Sequence, residues 1–158
     1  MKKINILIFI MLIFAFILTG CSGSKASGVT EGVKVNKEDL KIGFVHYSDP
    51  SDQGYTYTHD SSTWKMAAAL GIDKSQIINK YNVPDTAEAA TAFRELAEDG
   101  CQIIFSTSHG HEDYLLEVAF EYPNVVFCHF SGVKAASSGL SNVHNYFGDI
   151  AQVRYLSG

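Results

Sequence analysis

Arginine is nearly missing from this 158-residue chain. Only Arg94 and Arg154 occur, and with the lysines they make 12 bases against 17 acids, a formal charge of −5. So small and scattered a basic set offers no footprint for nucleic acid, and it provides no clamp of paired guanidiniums for a phosphate. Phosphate loops are missing too: the stretch after the first predicted strand reads S-D-P-S-D-Q-G, without G-x-G-x-x-G, and no Walker-type loop occurs. Ser106 and Ser108 lie near His109, but no G-x-S-x-G elbow presents a serine as a nucleophile. The three cysteines, Cys21, Cys101 and Cys128, show neither C-x-x-C nor metal-ligand spacing. Disorder is excluded by an aromatic content of 12% and by dense Ile/Val/Phe runs.

What is present begins with a hydrophobic leader. Lys2 and Lys3 precede an unbroken apolar run from Ile6 to Leu18, too short to span ~30 Å of hydrocarbon comfortably and well suited to a secretory signal. The run ends in Leu18-Thr19-Gly20-Cys21, the pattern of a bacterial lipobox, in which the cysteine is lipidated and becomes the new N-terminus. Residues 22–37 are rich in Ser, Gly and Lys without an apolar period, as a flexible tether is. The expected organisation is a signal peptide over 1–20, lipidated Cys21 with a tether over 21–37, and a domain over 38–158 on the outer face of a bacterial cell membrane. Without the leader the balance is 12 − 2 = 10 bases against 17 acids, or −7.

From Leu40 onward, apolar runs of strand length alternate with segments of helical period. Strands are predicted at 40–47, 76–83, 101–107 and 124–130. A polar loop over 48–59 leads to a helix from Asp60 to Leu70 stopped by Gly71. Asp85 and Glu88 resemble a capping box opening a second helix that runs to Asp99 and closes at Gly100. A third helix, 112–121, ends before Pro123. Strand starts recurring every 23 to 36 residues fit a parallel sheet with crossover helices, so the fold class is α/β, a Rossmann-like parallel sheet with flanking helices. Cys101 and Cys128 fall inside apolar runs, as core thiols do.

Ligands of such sheets collect at the carboxyl ends of the strands. That edge receives the loops 48–59, 107–112 and 131–139, which are polar, aromatic and histidine-bearing. His109 and His111 with Glu112 and Asp113 are candidate zinc ligands, although the two acids also suit the first turn of a helix through its dipole. Tyr55 and Tyr57 near Asp52 suggest another use: a ring stacks on a planar ligand while a carboxylate accepts its hydrogen bonds.

At these residues the chain resembles the basic-membrane-protein (BMP) family of ABC-transporter substrate-binding lipoproteins, which includes purine nucleoside receptors. The likeness is carried by IGFVHYSDPSDQGYTYTHD, by IIFSTSHGHEDYLLEVAFEYPNVVF, by the turn CHFSGVK and by the closing NVHNYFGDIAQVRYLSG. It implies that Asp52 is the acid of the first binding loop, that Tyr55 stacks on the ligand base, that Thr56 makes a polar contact, and that Ser108, His109 and Gly110 form a second binding turn. His109 stands where many members have Phe, His111 where many have Tyr, and Asp149 where a basic residue is usual. The family is bilobed, closing over its ligand like a trap. The resemblance therefore implies that 38–158 is the N-terminal lobe of a type I periplasmic-binding-protein fold, truncated at its C-terminus.

The function expected is an extracytoplasmic solute-binding lipoprotein of an ABC importer. Its partners are a purine nucleoside or nucleobase, the ABC permease and ATPase, and the membrane through the lipid; it has no cofactor, binds no nucleic acid and performs no bond chemistry. The alternatives are a zinc-binding surface lipoprotein using His109 and His111, and a ligand-sensing regulator on the same fold.

Overall fold

The computed structural model describes residues 34–148 together with 154 and 155. The leader, Cys21, the tether as far as residue 33, and Asp149 lie outside the described residues. No helix among the described residues is long and apolar enough to cross a membrane.

Among the described residues, five short strands form one sheet: β1 (Ile42–Val45), β2 (Ile77–Lys80), β3 (Ile103–Ser106), β4 (Val126–Phe130) and β5 (Val143–Tyr146). Their order is β2-β1-β3-β4-β5, and every neighbouring pair is parallel. Parallel strands need crossovers, and these are supplied by α1 (Tyr55–Leu70), α2 (Ala87–Glu98) and α3 (Glu112–Glu121), with a short α4 (Ala135–Ser138) before β5. Helices on both faces bury the central strands from both sides, so IGFV of β1 is buried at every position rather than alternating.

Two clusters fill the faces. Val45, Ile104, Phe127 and Val143 pack with Phe93 and Leu96 of α2 and Leu115 and Val118 of α3. Ile42, Phe44 and Ile77 pack with Ala67 of α1 on the other side. Glycines at positive φ stop the helices where the sequence places them, Gly71 after α1 at 61° and Gly100 after α2 at 85°. Cys101 and Cys128 are free thiols, each pushed up to about 11 by burial.

Three local expectations change. The first helix starts at Tyr55, five residues before Asp60, because the Asp52 carboxylate caps it (below). The capping box at Asp85 and Glu88 does not form: Thr86 holds the cap position, its hydroxyl donates to Glu88 at 2.9 Å, and Asp85 turns towards the sheet edge. Finally, Val143–Tyr146 is a fifth strand. Its VHNY sequence is short and polar, and only pairing with β4 makes it extended.

Candidate functional site

The carboxyl edge of the sheet carries a cavity of about 500 Å³ lined by Tyr47, Tyr55, Asp85, Ser108, His109, Phe130, Ser131 and Phe147. Each wall has a local cause. Asp52 ends a 3₁₀ turn, and its carboxylate accepts from the backbone N–H of Gly54 (3.0 Å), Thr56 (2.7 Å) and Tyr57 (3.0 Å). These are orphan donors of a helix start, so Asp52 nucleates α1 directly after β1. Donation from Gly54 foremost, with Tyr57 and Thr56, holds the Asp52 carboxyl down to about 2. Tyr55, first residue of the helix, is thereby set on the edge of the sheet. Its Oη donates to the Thr107 carbonyl at 2.5 Å, and burial pushes its hydroxyl up to about 12. The Tyr55 ring meets Phe130 edge-on at 5.8 Å and His59 at 4.7 Å. A second hollow of about 520 Å³, lined by Gly54, Thr58, His59 and Ser62, shares Tyr55 and Phe130 with the first.

The opposite wall is the 3₁₀ turn His109–His111 that leads into α3. Ser108 Oγ donates to Asp85 Oδ1 at 2.7 Å, which joins the loop before α2 to the turn after β3. His111 is fully buried. Its Nε2 donates to the Val83 carbonyl (3.1 Å) with Asp85 Oδ1 at 3.2 Å, so its Nδ1 is left to accept from Ser106 Oγ at 3.2 Å. Gly110 is a spatial requirement, because a Cβ there would overlap the Asp85 carboxyl. His109 is exposed, with Nδ1 at 3.2 Å from the Ser131 carbonyl and 3.3 Å from Ser131 Oγ.

Beneath this edge lie three buried imidazoles: His46 just after β1, His111 in the turn after β3, and His129 near the end of β4. His46 is fixed by Asn79 Oδ1 (3.0 Å) and Thr107 Oγ1 (3.2 Å). His129 is fully buried beside the Ser108 backbone and the Glu112 carboxylate. Burial lowers His46, His111 and His129 below the usual imidazole range, so they are neutral at pH 7. Next to His129, the buried Glu112 carboxylate accepts from the backbone N–H of Val133 and Lys134 (2.7 Å each) and from Asn145 Nδ2 (3.3 Å). Burial alone would raise Glu112; donation by Lys134 and Val133 reverses that and leaves it lowered. The loop that carries Ser131 is thus tied to the start of α3.

Of the residues expected from sequence, the structure brings Tyr55, Ser108 and His109 together on one cavity, with Gly110 beside them. Asp52 and Thr56 sit at the helix start behind Tyr55, outside the lining. Tyr47, Phe130, Ser131 and Phe147 also line the cavity, as does Asp85, which the sequence assigns to a helix cap. Phe130 and Ser131 stood inside the turn CHFSGVK, whereas Asp85 was hidden by its resemblance to a helix cap. The zinc arrangement does not assemble: both His111 nitrogens are engaged in the interior, and no group of three metal-ligating side chains occurs among the described residues.

Comparison with known proteins agrees with this architecture. Residues 39–158 match the profile of the family described as ABC transporter substrate-binding protein PnrA-like. A purine-binding protein of Brucella abortus (strain 2308) is 35% identical over 122 residues, 77% of this chain and 33% of that protein. A putative ABC transporter glucose-binding protein of Haloferax volcanii is 27% identical over 131 residues, 83% of this chain and 30% of that protein. The chain spans about a third of the length of these curated relatives. A solved solute-binding protein of an ABC transporter system from Conexibacter woesei shares the fold, with a TM-score of 0.62 at 19% identity over 74% of this chain and 38% of that one. A transcriptional activator of the comK gene from Bacillus halodurans shares it at a TM-score of 0.51 and 21% identity, over 66% of this chain and 33% of its own.

Proposed function

Because this chain belongs to the PnrA-like family of ABC-transporter substrate-binding proteins, we propose that its aromatic cavity is one half of a purine site. The ligand is a purine nucleoside or nucleobase. Tyr55 gives the stacking face, Ser108 and His109 the polar contacts, and Gly110 the close approach of the turn. Asp52 and Thr56 act one step back, by fixing where α1 begins and so where the Tyr55 ring stands. Residues 38–158 form the N-terminal lobe, and a second lobe closes over the ligand to bury the ~70–90% of its surface that tight sites enclose. The protein works outside the cytoplasmic membrane, held by a lipid on Cys21, and hands its ligand to a permease driven by an ATPase. It binds and releases without making or breaking bonds.

The observation that carries this reading is the cavity itself: four aromatic rings (Tyr47, Tyr55, Phe130 and Phe147) surround a few polar groups at the carboxyl edge of the sheet. Planar heteroaromatic ligands fit such a wall by stacking and by a small number of directed hydrogen bonds. The purine-binding name of the Brucella relative supports the same class.

The test is a nuclear magnetic resonance titration of the chain in detergent micelles with adenine, adenosine and glucose at millimolar concentration. Adenine or adenosine is expected to shift Tyr55, Ser108 and His109, and Tyr55→Ala to weaken that binding roughly tenfold, about the 1.4 kcal/mol of one good aromatic contact. Shifts with glucose alone, or with none of the three, would remove the purine reading.

A further inference from the structure

The segment Ser108–His111 carries the polar contacts proposed above, yet it does little to hold itself together. Ser108 stands at the N-cap of the 3₁₀ turn and His111 at that of α3, and neither side chain caps. The bond that closes the turn, from the His111 N–H to the Ser108 carbonyl, is long at 3.3 Å. The fastening comes instead from Asp85, 23 residues before Ser108. Its Oδ1 accepts from Ser108 Oγ at 2.7 Å and stands 3.2 Å from His111 Nε2. That nitrogen carries a proton, because its other neighbour, the Val83 carbonyl at 3.1 Å, can only accept. One carboxylate oxygen thus grips both ends of the segment, and His109 and Gly110 lie between them. The grip fits only over a glycine: a Cβ at Gly110 would come within 2.4 Å of the Asp85 carboxyl carbon and Oδ2. Asp85 is held from its own side as well. Pro84 precedes it, the Thr86 N–H closes on the Pro84 carbonyl at 2.8 Å, and the Val83 N–H donates to the His46 carbonyl at 3.0 Å.

From this we infer that Asp85 is a positioning residue of the binding site, which sets Ser108 and His109 against the ligand by gripping their turn from the loop before α2. The inference rests on the purine reading above and adds to it a residue that acts through Ser108 and His111. Such a grip needs an acceptor at the place of Oδ1. Removing it leaves Ser108 Oγ and His111 Nε2 each short of an acceptor and frees the turn, which the ligand must then order at a cost in affinity.

The experiment is the same titration with adenine and adenosine on the wild-type chain, Asp85→Ala, Asp85→Asn, Ser108→Ala and the double variant Asp85→Ala/Ser108→Ala. Amide exchange and the His111 ring N–H are followed beside it in the ligand-free chains. Asp85→Ala is expected to weaken purine binding roughly tenfold, with faster exchange at residues 109–111 and at the His111 ring. Asp85→Asn keeps an acceptor and recovers most of that loss. In the Ser108→Ala chain the further effect of Asp85→Ala falls to about threefold or less, since the shared contact is already gone. Unaltered spectra across β1, β3 and β4 show that the fold is retained. Should Asp85→Ala lose those spectra, Ser108→Ala cuts the same contact from the turn and is expected to loosen 109–111 by itself; an unchanged turn there overturns the grip. Purine binding that Asp85→Ala leaves intact, equal losses in Asp85→Ala and Asp85→Asn, or losses that add fully with Ser108→Ala overturn the positioning role and leave the purine site standing. No shift with either purine in the wild-type chain removes the purine reading and this inference with it.

Discussion

At the amino ends of the strands, Ile77, Ile42, Ile103 and Val126 stand side by side across the sheet. Three residues further along, the same row reads Lys80, Val45, Ser106, His129 and Asn145. The first row needs only water exclusion. The second is as deeply buried at Ser106 and His129, yet it carries dipoles that must find partners or stay neutral. The contrast separates what stabilises the fold from what specialises it. An apolar row tolerates exchange of one aliphatic residue for another of similar volume, whereas the polar row fixes identity, tautomer and rotamer together.

Variants at the two ends should therefore fail differently. The largest loss is expected from Phe93→Ala, since Phe93 is fully buried between Phe127 and His111. A cavity of that size costs about 3–5 kcal/mol, read as a drop in the urea midpoint. Glu112→Ala at the polar end strands the N–H groups of Val133, Lys134 and Asn145 and is expected to cost about 1–3 kcal/mol. Faster amide exchange confined to residues 131–134 and 145 should accompany it; uniform exchange across the sheet would show that Glu112 serves the whole core.

The contrast is sharpened by pH. His46, His111 and His129 have folded values below the unfolded imidazole value of about 6.5. At acid pH the unfolded chain binds more protons, so their contribution is complete above about 6.5 and is lost as pH falls. The urea midpoint should drop between pH 7 and pH 5, and a flat profile would mean these imidazoles reach water. The smallest effect is expected at Asp52, which lies at about 2 in the fold against about 3.9 unfolded. Its contribution is present above about 3.9 and lost as pH falls through 2. Asp52→Ala should flatten the acid limb of the stability profile and lower helicity at pH 7. An unchanged acid limb would show that the cap is unimportant.

Much of this fold was legible in advance because buried parallel strands are written as apolar runs, such as CQIIFST around β3, and glycines punctuate the helices. β5 was not legible as a strand, since VHNY carries little hydrophobic pattern and gains its conformation from β4. The start of α1 was missed for a related reason. Its first turn, YTYTHD, has a mixed polar and aromatic composition, and the capping carboxylate lies three residues upstream of Tyr55.

The alternation of strand and helix, the acidic balance and the gathering of Tyr55, Ser108 and His109 at one edge of the sheet are written in the chain itself, because periodicity and composition are local properties. Packing of distant segments settles that Asp85, just before α2, meets Ser108 and His111, and that Asp52 serves the backbone. The same packing parts His109 from His111, one on the surface and one in the interior. Those outcomes depend on which groups from distant segments compete for the same proton or lone pair, and that competition is resolved only when β1, β3 and β4 lie side by side.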